Sequence, residues 1–465
     1  MQTLNVAIIG TGYVGLTTGV TLAYLGHTVT CLDVDQRKLE MLRSGEPHFH
    51  EPHLRELMRL AKHNFTFTDV YADAIPNADI VFIAVGTPSL PNGSPDLQFL
   101  RKAAEGIGGN LGDQFKVVIN KSTVPIGSGN WVEALISEAS SGTGDFAVAS
   151  NPEFLREGAA LSDSLYPDRI VVGTDNAKAR ELLFTLYEPL LEQSFDAPDQ
   201  LPRPERLGAV PFITTDLTSA ELIKYAANAF LSLKVSFINE IANLSEKVGA
   251  DVVEVARGIG LDSRIGTRFL QAGIGWGGSC FGKDTAALIA TAHDYHLEMP
   301  IVEAARLVNR RQRNQIVDKL LHELKILKGR TITLLGLSFK PNTDDLRDAP
   351  AYDIAKQLLE RGAWVRVHDP ISMESARRSW SDLELQFCED PQIAVTGSDA
   401  VVLVTDWAEY RHLPWEKLAL LTREALMIDG RNHLDPIKLS QAGFRYVGIG
   451  RKSHHPQKRL LEGVK

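Results

Sequence analysis

The segment Gly273-Ile-Gly-Trp-Gly-Gly-Ser-Cys-Phe-Gly-Lys-Asp284 leads four glycines up to one cysteine and follows it, within a helical turn, with a lysine and an aspartate. Thiolate is the most nucleophilic side chain available for attack on carbon, so Cys280 is the candidate for covalent catalysis. Lys283 would favour the thiolate, and Asp284 supplies a second charge within the same turn. Glycines remove bulk and accept positive φ, which lets backbone approach a ligand and leaves a neighbouring thiol accessible. The competing reading is a tight turn around a small buried cysteine, since cysteine is among the most buried residue types.

Two further constellations carry chemistry. Lys224 and Asn228 lie one turn apart on the same face of an otherwise apolar helical stretch. Such a lysine either snorkels to water or, if buried, loses basicity and serves near neutrality. At the N-terminus, Leu4–Ile9 runs into Gly10-Thr-Gly-Tyr-Val-Gly15, a helical stretch to about Leu25, and a second apolar run, Thr28 to Asp33. Strand, glycine loop, helix, strand and terminal acid form the dinucleotide fingerprint. Gly10 makes the turn, Gly12 admits a pyrophosphate to the helix N-terminus, and Gly15 lets helix and strand pack. Asp33 would hold ribose hydroxyls and repel a 2′-phosphate, which favours NAD, while Arg37 and Lys38 keep NADP open. Cys31, inside the second strand, reads as core.

These groups need a scaffold. Strand-like runs at 78–85, 117–119, 146–149 and 169–172 alternate with helical segments, the pattern of a parallel sheet covered on both faces. Ligands of such sheets bind beyond the carboxyl ends of strands. Val85-Gly-Thr-Pro88, Ser122-Thr123 and Asn151-Pro-Glu-Phe-Leu-Arg-Glu-Gly158 fall there. Thr87 and Thr123 are open between ligand contact and turn chemistry, and Glu153 and Glu157, four apart, are expected to share a helix face. His48, His50, Glu51 and His53 could be drawn as a metal cluster, but two prolines in the stretch favour a loop and no metal is expected.

Residues 192–211 are Pro-rich and polar, a linker or a surface insertion. A helix capped by Asp216 should then run to about Val248, roughly 50 Å. Its apolar residues cover more than one stripe, which implies a subunit interface as well as intrachain packing. Helical stretches at 284–295 and 301–324 follow. Arg330–Gly336 opens a second strand–glycine–helix–strand unit lacking the second and third glycines of the fingerprint, so it should not hold a dinucleotide in the same way. Lys340 and Arg347 there suit phosphate. The expected fold is α/β, two doubly wound Rossmann-like domains joined by a long central helix. The expected boundaries are 1–211 (NAD-binding), 212–325 (central helical), 326–450 (C-terminal) and a frayed basic tail at 451–465.

The 465 residues carry a net charge of -9, which gives a phosphate backbone nothing to bind and argues against a nucleic-acid partner. Three distant cysteines, Cys31, Cys280 and Cys388, argue against a disulfide framework and for a reducing compartment. No apolar run is long enough to span a membrane, and the first strand begins too early to leave room for a signal peptide, so the cytoplasm is the expected location.

The fingerprint at Gly10, Asn151–Gly158 with Tyr166-Pro-Asp-Arg169, Ala220-Glu-Leu-Ile-Lys-Tyr-Ala-Ala-Asn228, Gly277-Gly-Ser-Cys-Phe-Gly-Lys-Asp284 and Gly336-Leu-Ser-Phe-Lys340 together resemble the nucleotide-sugar dehydrogenase family of UDP-glucose/GDP-mannose type, nearly end to end. Ser279 stands where enzymes for N-acetylated sugars usually carry His, and Pro-Asp-Arg169 favours the UDP-glucose branch. Gly282 departs from the commoner Pro or Gln. The resemblance implies oxidation of UDP-glucose at C6 to UDP-glucuronate by two NAD, through a thiohemiacetal and a thioester on Cys280. It implies Lys224 and Asn228 as oxyanion donors, and Asp284, Glu153 and Thr123 as further catalytic residues. NAD would be held by Gly10, Gly12, Tyr13, Val14, Gly15, Asp33, Lys38, Thr87, Thr123, Glu157, Lys283 and Arg347. The sugar nucleotide would meet Glu153, Phe154, Leu155, Arg156, Lys224, Asn228, Phe269, Leu270, Gln271, Ala272, Gly273, Gly277, Lys340 and Arg431. Arg264 would join them, in cis or from a neighbouring subunit, and a dimer or higher homo-oligomer is expected. GDP-mannose oxidation and a catalytically silent sensor of NAD and nucleotide sugar are the alternatives.

Overall fold

The computed structural model describes residues 2–88, 90 and 94–456. The chain forms two compact units, residues 1–227 with 286–297, and residues 228–285 with 298–465.

The first unit is built on an eight-stranded sheet. In chain order its strands are β1 (Asn5–Ile9), β2 (Thr28–Leu32), β3 (Phe65–Thr68), β4 (Ile80–Ile83), β5 (Lys116–Asn120), β6 (Phe146–Ser150), β7 (Ile170–Gly173) and β8 (Phe212–Thr215). They lie in the order β3-β2-β1-β4-β5-β6-β7-β8. β4 and β5 are buried along their whole length, as strands covered on both faces must be. The sheet departs from the expected all-parallel pattern at one seam: β7 meets β6 antiparallel, Ser150 opposite Gly173, and β8 then follows β7 in parallel. Only the six-residue helix Ala160–Leu165 lies between β6 and β7.

Residues 192–211 are a packed insertion rather than a linker. Val210 belongs to the core of the first unit, with Phe195 and Leu201 packed against it. Tyr166 donates to Leu201 O at 2.5 Å. β8 completes the first sheet, and the long helix Leu217–Val248 begins after one intervening residue, Asp216. Asp216 caps that helix as expected, its Oδ1 accepting from Ser219 N at 2.8 Å.

The second unit carries a six-stranded, wholly parallel sheet. Its strands are β9 (Thr331–Leu335), β10 (Trp364–His368), β11 (Leu385–Phe387), β12 (Ala400–Leu403), β13 (Leu426–Asp429) and β14 (Arg445–Val447), ordered β11-β10-β9-β12-β13-β14. The expected frayed tail is partly ordered: His454 and Tyr446 exchange backbone hydrogen bonds, and Arg451 Nε reaches Asp251 at 3.1 Å. Residues 457–465 lie outside the described residues. None of the described helices is long and apolar enough to cross a membrane.

Candidate active site

In the first unit the glycine turn behaves as its residue types require. Gly10 has φ +97, and a Cβ there would stand 2.6 Å from Ala84 O, while a Cβ at Gly15 would run into Gly10 O. At Gly12 no atom lies within 4 Å of the Cβ position, so the N-terminus of helix Tyr13–Tyr24 is open to a phosphate. Asp33 ends the second strand nearly buried, and its Oδ2 accepts from Thr11 N at 2.8 Å and Thr11 Oγ1 at 2.6 Å. Burial alone would raise its carboxyl. The Thr11 hydroxyl and amide, the Asp35 amide and Lys38 outweigh that and hold it below the usual carboxylate range. These residues fit the adenosine half of a dinucleotide. Thr87 donates to Thr123 O at 2.9 Å, joining two of the loops at the strand ends.

The histidine-rich loop packs against this turn. His48 Nε2 bonds Thr11 O at 2.7 Å. Glu51 accepts from the amides of Gly158 and Ala160 and from the Tyr13 hydroxyl. It thereby ties the glycine loop to the segment that follows β6.

That segment, Asn151 to Arg156, is not helical, so Glu153 and Glu157 share no helix face. Pro152 disfavours helical backbone at Asn151. Glu153 Oε2 takes Leu155 N at 2.6 Å, a local bond that competes with a helix. Glu153 is buried and grips Lys224, whose Nζ reaches Glu153 O at 2.6 Å and Oε1 at 2.8 Å. Burial works against the Glu153 charge, but Lys224, the Leu155 amide and Lys121 together keep its carboxyl lowered. Lys224 does not snorkel; it is 4% exposed. Phe154 lies between cations, with Arg169 3.6 Å over its ring and Lys224 at 5.5 Å. Arg156 turns to Asp163 in a two-pronged ion pair.

Two residues of this unit escaped the sequence reading. Lys121 Nζ donates to Asn151 Oδ1 at 2.8 Å, and burial pushes its ammonium down to about 8, with Glu153 opposing and Lys224 adding to the fall. Glu221, three residues before Lys224, accepts from Gly127 N at 2.6 Å and Gly129 N at 2.9 Å. It fastens the long helix to the start of helix Ser128–Ala139, just beyond Thr123. The available signal was an acid on the buried side of the same helix.

In the second unit the helix expected from Asp284 begins five residues earlier, at Ser279, which sets Cys280 in its first turn. Gly282, a poor helix former, hides that start from a reading by propensity. Asp284 is buried; its Oδ2 accepts from Asn228 Nδ2 at 2.6 Å, and Lys283 Nζ stands 3.3 Å from its Oδ1. All three cysteines remain thiols.

The glycines before Cys280 were expected to make room for a ligand. The protein itself fills that room. A Cβ at Gly273 would lie 2.7 Å from Gly430 O, one at Gly278 2.7 Å from the Phe339 ring, and those at Gly275 and Gly277 would strike Asn309 Oδ1 and Asp348 O. Three buried amides not foreseen from sequence hold the loop. Asn239 accepts from Gly273 N at 2.8 Å, Gln312 donates to Gly273 O at 2.8 Å, and Asn309 clasps both backbone groups of Trp276 at 2.7 and 2.9 Å.

Other expected ligand contacts have partners within the chain. Arg431 donates to the carbonyls of Val404, Gly275 and Phe339. Arg347 pairs with Asp345, and the exposed Arg264 with Asp262. Phe269 sits at φ 65, its ring centroid 6.2 Å from that of Phe281. Lys340 Nζ lies 5.3 Å from the Phe339 ring centroid. At the place in this sheet that Asp33 occupies in the other, Asp369 accepts from Leu337 N, Ile371 N, Ser372 N and Trp407 Nε1.

A glycine turn with an ionised acid after the next strand, together with a thiol raised on a helix start, is the equipment of a dinucleotide-dependent oxidoreductase. Comparison with known proteins gives the family. Residues 4–191, 218–311 and 333–436 match, in turn, the NAD binding, central and UDP binding domains of the UDP-glucose/GDP-mannose dehydrogenase family. The chain belongs to this family and is an NAD-dependent dehydrogenase. It is 44% identical over 465 residues to the UDP-glucose 6-dehydrogenase TuaD of Bacillus subtilis, covering 99% of this chain and 96% of that one. It is also 44% identical to the UDP-glucose 6-dehydrogenase of Rhizobium meliloti, over 96% of this chain and all of the other. A UDP-glucose dehydrogenase structure from Pyrobaculum islandicum superposes with a TM-score of 0.86 at 37% identity, covering 97% of this chain and 98% of that one.

The Glu221 clamp has a pH signature. Burial pushes its carboxyl up to about 7 from 4.5, against the pull of the two amides. Its folded value therefore lies above its unfolded one, so its stabilising contribution is whole below pH 4.5 and is lost as pH rises through about 7. Urea unfolding of the protein and of Glu221→Gln across this range should show the wild-type advantage falling by on the order of 1–3 kcal/mol towards alkaline pH. A flat difference would contradict the assignment.

Proposed function

We propose that the chain oxidises UDP-glucose at C6 to UDP-glucuronate, consuming two NAD and one water, with Cys280 as the covalent carrier. The observation that carries this reading is the first turn of helix Ser279–Asp294, where the half-buried thiol is followed four residues on by a buried carboxylate bound to Asn228. The names of the relatives above support the sugar nucleotide.

When bound, NAD accepts a hydride from C6 at each of the two oxidation steps. The chain's residues manage the carbon between them. Cys280 Sγ bonds to C6 at the aldehyde level as a thiohemiacetal and retains it as a thioester. Water then adds at C6, the C–S bond breaks, and the thiolate returns. A carbon that must be oxidised twice without escaping as a free aldehyde requires such a tether. The free amides of a helix's first turn favour negative charge on that sulfur. Lys224 and Asn228 donate to the oxygen on C6 as it gains charge. Glu153 holds the Lys224 ammonium in place, and Asp284 orients Asn228 and receives a proton through water. Asp33 takes the ribose hydroxyls of the cofactor, and Lys340 a phosphate of the sugar nucleotide.

The chain also self-associates in this reading. Phe230, Phe237 and Leu244 recur every seven residues along the long helix and are 61%, 48% and 57% exposed. Apolar residues at that period form a seam for another helix.

Assays with UDP-glucose should yield two NADH per sugar and UDP-glucuronate as product; faster turnover of GDP-mannose would replace the substrate, and no NADH would favour a sensor. Cys280→Ser should stall turnover while NADH still binds with unchanged affinity, and full-rate acid formation by this variant would remove the covalent mechanism. Lys224→Ala should lose on the order of a hundredfold or more in kcat, against near-normal kcat if it has no such role. Phe237→Lys should shift the assembly towards monomer in sedimentation velocity, and an unchanged profile would discard the helix seam.

A further inference from the structure

The second unit contains a cavity of about 590 Å³ that the proposed reaction leaves unused, bordered by Gly282 and by helices Pro300–Leu324 and Pro350–Glu360. That volume lies in the range of small-molecule sites, roughly 300–1,000 Å³. Its lining is unevenly charged. Arg313 bonds both Asp348 and Asp353, at 2.8 and 2.6 Å, one cation against two carboxylates, and the lining as a whole carries four cations against three acids. The other cations of the lining are Arg306, Arg310 and Lys356, against Glu360 as the remaining acid. Among the described residues Arg310 and Lys356 make no ion pair, and Arg306 donates to uncharged oxygens, Gly282 O and Thr285 Oγ1, both at 2.6 Å. Arg306 and Arg310 lie one turn apart on one helix. Burial and then the neighbouring Arg310 charge lower the Arg306 guanidinium from its ordinary value, so the two cations repel each other at the cavity wall. A planar guanidinium pair beside a lysine matches phosphate oxygens in geometry and charge.

The same cavity touches the helix that carries the reactive thiol. The carbonyl held by Arg306 belongs to Gly282, two residues from Cys280, and Thr285, its other acceptor, bonds back to Phe281 O at 2.6 Å. A Cβ at Gly282 would meet its nearest neighbour, Asp348 Oδ2, only at 3.5 Å, so packing does not demand glycine there. Glycine instead leaves this first turn soft and its carbonyl accessible. The turn depends on Arg306 for part of its order.

We propose that this cavity binds a small phosphate-bearing anion through Arg306, Arg310 and Lys356, and that occupancy is felt at Cys280 because the anion draws Arg306 away from Gly282 O and Thr285 Oγ1. The ligand is an inorganic polyphosphate or a phosphate ester of similar size. Calorimetric titration of the full chain with inorganic pyrophosphate, and separately with fructose 1,6-bisphosphate, should show binding with a Kd on the order of 0.1–1 mM. The tighter of the two identifies inorganic or esterified phosphate as the source. The double variant Arg310→Gln/Lys356→Gln alters exposed residues outside the proposed catalytic machinery and should keep NADH affinity and anion-free turnover. Its anion affinity should fall about tenfold. The anion should change the rate of Cys280 alkylation by iodoacetamide about fivefold in the wild type and leave it unchanged in the double variant. Equal anion affinity in both proteins, or no binding of either anion, overturns the site. Binding lost in the variant with no change of alkylation in the wild type overturns the coupling to Cys280.

Discussion

A backbone that runs through the interior without helix or sheet must still find a partner for each N–H and C=O, and this requirement governs the approach to Cys280. Residues 272–278 are buried and have no regular structure. Asn239, Asn309 and Gln312 answer their amides and carbonyls, Arg431 adds a donor to Gly275 O, and Gly278 N reaches Arg347 O. Each bond brings another stretch of chain within van der Waals distance of the loop, and that crowding leaves no space for a Cβ at Gly273, Gly275, Gly277 and Gly278. The glycines therefore follow from the protein's own packing. The consequence is a thiol whose approach path is fixed from several elements at once, which suits a group that must meet one carbon in one orientation.

Charge is handled differently in the first unit. Lys121, Glu153 and Lys224 form a buried set with more cation than anion, stable because Glu153 stays ionised and the ammonium groups have carbonyl or amide oxygens to donate to. An isolated lysine on the apolar side of the long helix would be costly to bury charged; here it is buried against the Glu153 carboxylate and carbonyl. The pairing also explains why the segment after β6 abandons helical structure, since a helix there could not direct both Glu153 O and its carboxylate at one ammonium.

Much of this was legible from residue types. The glycine fingerprint with Asp33, the cap at Asp216, the long helix and the Lys224–Asn228 spacing all depend on local rules, and local rules survive folding. Other features depend on what arrives from far away in the chain. Nothing near Asn309 or Gln312 marks them as loop anchors, because their partners lie more than thirty residues upstream. The antiparallel pairing of β7 with β6 is likewise invisible in an apolar run, whose residue types are the same in either direction. At Ser279 the failure was different: propensity placed the helix start after Gly282, whereas tertiary bonds from Arg306 stabilise the earlier turn. Glu153 and Glu157 show the converse error, a helical spacing without a helix.

The junction between β8 and the long helix is a single residue, Asp216. A Cβ at Gly173 would lie 2.5 Å from Asp216 O and 2.6 Å from Ala220 Cβ, so the end of β7 and the first helical turn are in close contact without slack. One added residue at this point would rotate the following helix by about 100° and carry Lys224 round to another side of the cylinder. Length variation is thus forbidden at 215–217, where a single inserted residue would turn Lys224 away from Glu153.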